Sequence, residues 1–386
     1  MNRVLIAGFS TRAAANSAAA AGFAVTALDA FGDLDVDSSV RVVSLPRDLG
    51  TPFTPAAAAR AAAGFVTDAA IYLANFENHP AAVSALAADR ALWGNPSGVL
   101  QRVRNPALVA AALRDHGLPF ARVNENDPND PNDPNDWLVK PLESGGGRGI
   151  RRWEGGTVPA GHYLQERIDG VAASVVFVSA GGVALPIGVS RQLIGEAAFG
   201  ADGFRYCGNI MAPAGDPGFE HHQETLVDGA CAIASAVTAS FDLVGVNGAD
   251  FIAAGGKARA VEVNPRWSGS MELAERAYGL SIFALHAEAC ARGGLPAFDL
   301  KRARRAARAV GKAILFAREP MTVGDTHSWL GDATIADVPQ PGERIAAGRP
   351  ICTIFADAED DAGCYRALVQ RAERIYASVA GAVRLE

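Results

Sequence analysis

Two stretches of the chain concentrate residue types suited to phosphate and divalent-ion chemistry. The first is Leu138-Val-Lys-Pro-Leu-Glu-Ser-Gly-Gly-Gly-Arg-Gly-Ile150. Consecutive glycines accept positive φ and allow close backbone approach, so their N–H groups can wrap phosphate oxygens. Lys140, at the end of the preceding strand, can set one ammonium against the same phosphates. The loop is not a Walker A motif, because Arg-Gly-Ile follows the glycines where Lys-Ser/Thr would be required. A tight surface hairpin would use the same glycines, so this stretch is only moderately specific.

The second stretch is Ala249-Asp-Phe-Ile-Ala-Ala-Gly-Gly-Lys-Ala-Arg-Ala-Val-Glu-Val-Asn-Pro-Arg266, which reads as two strands around Gly255-Gly256. With a three-residue loop at 255–257, residues whose numbers sum to 512 face each other. Asp250 then opposes Glu262, and Phe251 opposes Val261. Directly opposed residues share a face, as do positions i and i+2. Asp250, Glu262 and Asn264 therefore project together, Arg266 joins them, and Phe251, Val261 and Val263 enter the core. Opposed carboxylates repel unless a cation lies between them, and oxygen donors of this kind suit Mg²⁺. A two-residue loop would move Asp250 to the other face. An amphipathic surface hairpin explains the alternation but not the E-x-N-x-R ending, so the metal reading is adopted.

These residues need elements to position them. The opening run of residues 3–9 reads as a strand rather than a signal peptide, followed by an alanine-rich helix (11–21) and a second strand ending at Asp29. This begins a parallel α/β unit. Asp29 invites a dinucleotide reading, but the turn Gly8-Phe-Ser-Thr-Arg12 lacks G-x-G-x-x-G, so Asp29 is read as a strand-end acid. A further strand (70–74) delivers Glu77 and Asn78 to a carboxyl-end loop, where α/β ligand sites form; a helix start capped by polar residues is the equal alternative. Helices are expected near 80–92, 105–116, 220–240, 270–292 and 359–379. The Asn-Asp-Pro repeat at 126–136 reads as an exposed insertion of turn formers. Lys301-Arg-Ala-Arg-Arg305 reads as a solvated strand or linker face rather than a phosphate contact.

The bulk numbers limit the choices. A chain of 386 residues exceeds one ordinary core, which predicts two to four domains. A net charge of −7 argues against nucleic acid as a partner. No apolar run reaches membrane-spanning length, so no membrane partner is expected. The five cysteines (Cys207, Cys231, Cys290, Cys352 and Cys364) are scattered without C-x-x-C, which predicts a reduced, cytoplasmic chain without a zinc site.

In order along the chain, these segments resemble the ATP-grasp superfamily, and more closely the carboligases related to biotin carboxylase. The most specific part of the match covers 137–270. The resemblance implies an α/β fold, α+β in its central part. It would comprise an N-terminal Rossmann-like pre-ATP-grasp domain (1–95), an ATP-grasp domain (96–300) and a small β-rich C-terminal domain (301–386). It implies ATP and Mg²⁺, with Mn²⁺ as a substitute. Lys140 would bind the α- and β-phosphates, with Ser144, Gly145, Gly146, Gly147, Arg148 and Gly149 as the lid. Within Tyr163-Leu-Gln-Glu-Arg-Ile-Asp-Gly170, Glu166, Arg167 and Ile168 look like the adenine hinge. Asp250, Glu262 and Asn264 match metal ligands, and Arg266 matches the arginine that steadies the transferred phosphoryl group. Arg191 is a second candidate for stabilising the tetrahedral intermediate.

Two positions depart from the family. Arg104, in Val-Arg-Asn-Pro106, stands where relatives carry a lysine, and Val171-Ala-Ala-Ser174 lacks the usual acid near the ribose. The region 335–354 resembles the small C-terminal domain of biotin-carboxylase-like proteins. The implied reaction joins a small-molecule carboxylate to an amine through an acyl phosphate, in a homodimer. Similar carboligases join glutamate to an aromatic amine in methanofuran-type, one-carbon cofactor synthesis. The rivals are a bicarbonate-using carboxylase, although no biotin-attachment motif is present, and a non-catalytic nucleotide-binding protein.

Overall fold

The computed structural model describes residues 2–123, 136–216 and 223–382. The Asn-Asp-Pro repeat lies outside them except for Asp136, which pairs with Arg152 at 2.8 Å and Arg167 at 3.1 Å. The N-terminal part is a five-stranded parallel sheet, β3-β2-β1-β4-β5. Its strands are β1 (Arg3–Ala7), β2 (Ala24–Asp29), β3 (Arg41–Ser44), β4 (Ala69–Tyr72) and β5 (Ala91–Leu92). Helices α1 (Arg12–Ala20), α2 (Leu45–Leu49), α3 (Pro55–Ala62) and α4 (Pro80–Leu86) connect them. The helix expected over 80–92 stops at Leu86, since the chain must extend again to form β5. Beyond β4, a short 3₁₀ turn (Phe76–Asn78) carries Glu77 and Asn78 at the carboxyl end of the sheet.

Helices α5 (Ser97–Val103) and α6 (Pro106–Asp115) lead into the central region. The Asn105 side chain caps α6 by accepting from the N–H groups of Ala107 and Leu108, with Pro106 at the first helical position. That cap forces a corner, and Arg104 sits on it. A three-stranded antiparallel sheet follows, β7-β6-β8, built from β6 (Trp137–Pro141), β7 (Arg151–Arg152) and β8 (His162–Glu166).

The largest sheet has eight antiparallel strands in the order β13-β12-β9-β10-β11-β14-β18-β16. These are β9 (Val171–Ala180), β10 (Val183–Ile194), β11 (Tyr206–Met211), β12 (Gly245–Ala254), β13 (Lys257–Asn264), β14 (Ala309–Phe316), β16 (Ile335–Ala336) and β18 (Pro350–Ala358). A small ladder joins β15 (Met321–Thr322) to β17 (Arg344–Ile345). Val175, Phe177, Ala249 and Phe251 point to one face and pack under α7 (Gln223–Phe241). Val176, Val178 and Val246 point to the other, toward α8 (Met271–Tyr278) and α9 (Ile282–Arg292). The single helix expected over 270–292 is thus two, broken where Gly279 takes φ +65°. The basic stretch at 301–305 is not a strand or linker; it lies in α10 (Leu300–Ala306), with Arg304 only 1% exposed and Lys301 paired to Asp228 at 2.7 Å. The last helix is α11 (Asp361–Ala382). Strands from beyond residue 300 continue the sheet that begins at 171, so no break in the sheet marks that boundary.

Candidate active site

The hairpin of β12 and β13 does not turn as the sequence predicts, yet it delivers the predicted pair. Ala254 pairs with Lys257, so the loop has two residues, Gly255 and Gly256, and Phe251 opposes Ala260 rather than Val261. Such a loop alone would put Asp250 and Glu262 on opposite faces. A bulge at Val261 shifts the register by one, and Asp250 pairs with Glu262 after all. Val261 is half-buried rather than in the core; its carbonyl accepts from Gln165 Nε2 at 3.0 Å. Phe251 and Val263 are buried as expected.

Asn264 Nδ2 donates to Asp250 Oδ2 at 3.0 Å, and Gln192 Nε2 donates to Asp250 Oδ1 at 3.0 Å. Burial, and next the charge of Glu262, push the Asp250 carboxyl up to about 7. Burial also opposes ionisation of Glu262, but Arg104 and Lys140 outweigh it and hold that carboxyl below its usual range. Arg104 pairs directly with Glu262 and also donates to the carbonyl of Ser144 at 3.3 Å. Lys140 is buried, with Nζ on Gln165 Oε1 at 2.8 Å; burial lowers its pKa despite the pull of Glu262 and Asp250. Glu262, Arg104, Lys140 and the glycine loop line one cleft, together with Tyr163.

The glycine loop is pinned over this cleft. The Ser144 carbonyl also accepts from Asn78 Nδ2 at 3.3 Å, and the Gly146 carbonyl accepts from the Tyr206 N–H at 3.1 Å. Gly147 (φ +78°) lies so close to the Phe204 carbonyl that a Cβ would sit 1.7 Å from its oxygen. Arg266 binds across the far side of the site. Its Nε donates to Glu77 Oε1 at 2.7 Å, and its Nη2 to Asn264 Oδ1 at 3.1 Å. The structure therefore joins Glu77 and Asn78 to the hairpin acids and the loop through Arg266 and Ser144.

Four expected site residues lie elsewhere. Arg191 pairs with Ala173, on the α7 face, and its guanidinium grips Asp361 of α11 at 2.7–3.2 Å. Strand alternation puts its neighbours Ser190 and Gln192 on the Asp250 face instead. Glu166 pairs with Trp137 and turns away from Gln165; its carboxylate accepts from the Arg122 N–H at 3.2 Å and from Arg122 Nε at 3.3 Å. Glu166, Arg167 and Ile168 line a separate cavity beside Gly255 and Lys257. The Arg167 N–H is committed to the Asp136 carbonyl at 2.7 Å.

Sequence reasoning missed a polar row that crosses the sheet from Asp250. Ser174 meets Ser190 at 3.1 Å, Asn209 donates to Ser190 at 2.9 Å, and Tyr206 donates to Asn209. Lys312 of β14, in register with Asn209, donates to Glu272 at 3.0 Å. Period-two alternation could have flagged Ser190 and Gln192, but not their partners on distant strands.

The donor set fits a divalent ion with an incomplete protein shell. Among the described residues no group of three or more His, Cys, Asp and Glu side chains is placed to hold a metal. Asp250 and Glu262 would offer two carboxylates and Asn264 the amide oxygen now held by Arg266; phosphate and water would complete a magnesium shell, as that ion prefers.

Residues 104–270 match the family model described as the ATP-grasp domain. The chain carries an ATP-grasp domain. No curated protein matches it by sequence. The biotin carboxylase domain dimer of Hydrogenobacter thermophilus 2-oxoglutarate carboxylase, solved with MgADP and bicarbonate, superposes with TM-score 0.72 at 13% identity, covering 96% of this chain and 88% of that one. An L-amino acid ligase from Bacillus licheniformis gives 0.64 at 13% identity, covering 97% of each chain. Rhizobium etli pyruvate carboxylase gives 0.71 at 14% identity, covering 96% of this chain but 37% of that one. This chain thus spans well under half the length of that carboxylase. At such identities the likeness establishes the shared ATP-grasp fold, with its N-terminal Rossmann-like sheet and β-rich C-terminal region.

Proposed function

We propose that this ATP-grasp protein is an ADP-forming carboxylate–amine ligase. The observation that carries the reading is the opposition of two half-buried acids, Asp250 and Glu262, with Glu262 lining the same cleft as Lys140 and the triple-glycine loop. Asp250, Glu262 and Asn264 would hold Mg²⁺, or Mn²⁺ as a substitute, whose charge would offset that of the ATP phosphates. Lys140 and Arg104 set positive charge beside the phosphates, and Ser144 to Gly149 cover them. Arg104 thereby takes the place of the family's lysine. The hinge 166–168 accommodates adenine through backbone groups, since the Glu166 carboxylate is held by Arg122.

A substrate carboxylate oxygen attacks the γ-phosphorus, the bond to ADP breaks, and an acyl phosphate forms. An amine lone pair then attacks the acyl carbon, and phosphate leaves with the C–O electron pair. Arg266 faces the negative charge of the tetrahedral intermediate; Arg191, tied to Asp361, takes no part. Catalysis of this kind rests on positioning and charge neutralisation rather than on a protein nucleophile.

For substrates we put forward glutamate and an aromatic amine, in methanofuran-type cofactor synthesis. The Bacillus neighbour's name, an L-amino acid ligase, supports an amino-acid substrate. The working division into functional units stays 1–95, 96–300 and 301–386. A homodimer is the proposed assembly, in keeping with the Hydrogenobacter dimer. Five free thiols accord with a reducing, cytoplasmic setting. Coupled ADP-release screening of carboxylic acids against amines, with bicarbonate as a separate acid, tests the reading. ADP release that needs both acid and amine is expected. Release with bicarbonate and no amine would replace it with the carboxylase reading. No release with any pair would leave only nucleotide binding.

A further inference from the structure

Glu77 carries more than its ion pair with Arg266. Its side chain is 1% exposed, and only Oε1 is engaged, by Arg266 Nε at 2.7 Å. Among the described residues, Oε2 is buried without any hydrogen-bond donor. A buried carboxylate oxygen without a donor is unusual, because desolvation is then uncompensated. It therefore marks where a donor from a ligand belongs. The position is specific: Arg266 bridges Glu77 to Asn264, and Asn264 to Asp250, so the open oxygen is three side chains from the proposed phosphoryl-transfer centre. The next residue, Asn78, donates to the Ser144 carbonyl of the glycine loop and likewise has a buried Oδ1 without a donor. Two buried acceptor oxygens on one turn, which Asn78 ties to the glycine loop, thus lack donors among the described residues, and both ask for N–H or O–H groups. The reacting carboxylate group offers neither, whereas the attacking amine offers N–H.

We infer that Glu77 is a catalytic residue for the amine half of the reaction. This rests on the ligase reading above. Oε2 accepts a hydrogen bond from the amine nitrogen and takes its proton as the C–N bond forms. The nitrogen lone pair makes the new bond, the C–O bond to phosphate breaks, phosphate departs with that electron pair, and the nitrogen proton goes to Oε2. Oε1 meanwhile keeps Arg266 aimed at the acyl phosphate. Asn78 Oδ1 accepts a second N–H and orients the nitrogen.

The test compares two nucleophiles on Glu77→Gln, which keeps the shape and an acceptor for Arg266 but cannot take a proton. L-Glutamate and Mg-ATP are supplied with hydroxylamine, a nucleophile of low basicity that loses its proton without help, or with 2-phenylethylamine. Hydroxamate and amide are measured separately, with circular-dichroism melts as a control for folding. Glu77→Gln should lower amide formation roughly a hundredfold more than hydroxamate formation, the range lost with a general base. Equal loss of both products would make Glu77 a positioning residue for Arg266 and overturn the inference. No loss of either would overturn it as well. If the wild-type protein forms neither product, the ligase reading itself fails with these substrates. If Glu77→Gln does not fold, Glu77→Asp serves: it retains a proton acceptor at shorter reach, and must again impair the amide product more than the hydroxamate.

Discussion

At Asp29 and Glu262 the same event, a carboxylate taken out of water, has opposite outcomes. Burial pushes Asp29 up to about 6 against hydrogen bonds from Gly32, Thr11 and Phe31. At Glu262 the neighbouring Arg104 and Lys140 reverse the effect. Asp29 closes the turn after β2 through Thr11 at 3.0 Å and the N–H of Gly32 at 2.8 Å, the strand-end role its sequence context suggested. A carboxyl raised above its unfolded value stabilises the fold fully below the unfolded pKa and loses that contribution as pH rises through the folded one. Asp29 should therefore cost the protein on the order of 3 kcal/mol of stability between about pH 4 and pH 6. Urea unfolding across that window should show this part of the slope vanish in Asp29→Asn; an unchanged slope would mean the carboxyl is not perturbed. Identity and parity made Asp250, Glu262, Asn264 and Arg266 legible in the sequence. For Arg191 the sequence is not enough, because only the sheet shows which face of β10 it occupies.

Among the elements, the hairpin and the glycine loop carry the site. The two-residue turn and the bulge at Val261 are two departures from the expected register that cancel at Asp250. Nothing in the local sequence distinguishes that from a three-residue loop, since both give the same pair. The glycine loop was plain from composition, but its docking on Phe204 and Tyr206 was not, because those residues lie some sixty positions downstream. Gly147 has positive φ and no room for a Cβ against Phe204. Gly147→Ala should therefore keep the loop from seating and slow ADP release at least tenfold, or ~1.4 kcal/mol in the barrier. Melting should change little, since the loop is peripheral to the cores. A rate equal to wild type would show that the docked loop is not the working lid.

At the scale of the whole molecule, distant segments meet on the sheet face that carries Asp250. Gly208 pairs with Ala313, which places the C-terminal β14 and its Lys312 on the sheet that carries Asp250. Composition showed a change of texture near residue 300, but strand adjacency across a hundred residues leaves no local trace. Arg12, 4% exposed, locks the regions together: it pairs with Glu272 of α8, with Asp337 at 3.0 Å and with Asp35 at 3.5 Å. Nothing in the turn sequence Gly8-Phe-Ser-Thr-Arg12 points to those distant acids. The cleft lined by Arg104, Lys140 and Glu262 is assembled in the same way, from the α5–α6 corner, the three-stranded sheet with its glycine loop and the hairpin. The most direct test is calorimetric titration of a non-hydrolysable ATP analogue into wild-type protein and Glu262→Gln, each with Mg²⁺ and with EDTA. Wild-type binding should weaken at least tenfold when Mg²⁺ is removed, and the variant should lose most of that dependence. Equal affinity for the wild-type protein in Mg²⁺ and EDTA, or a variant that keeps the full metal dependence, would contradict the assignment of the hairpin acids.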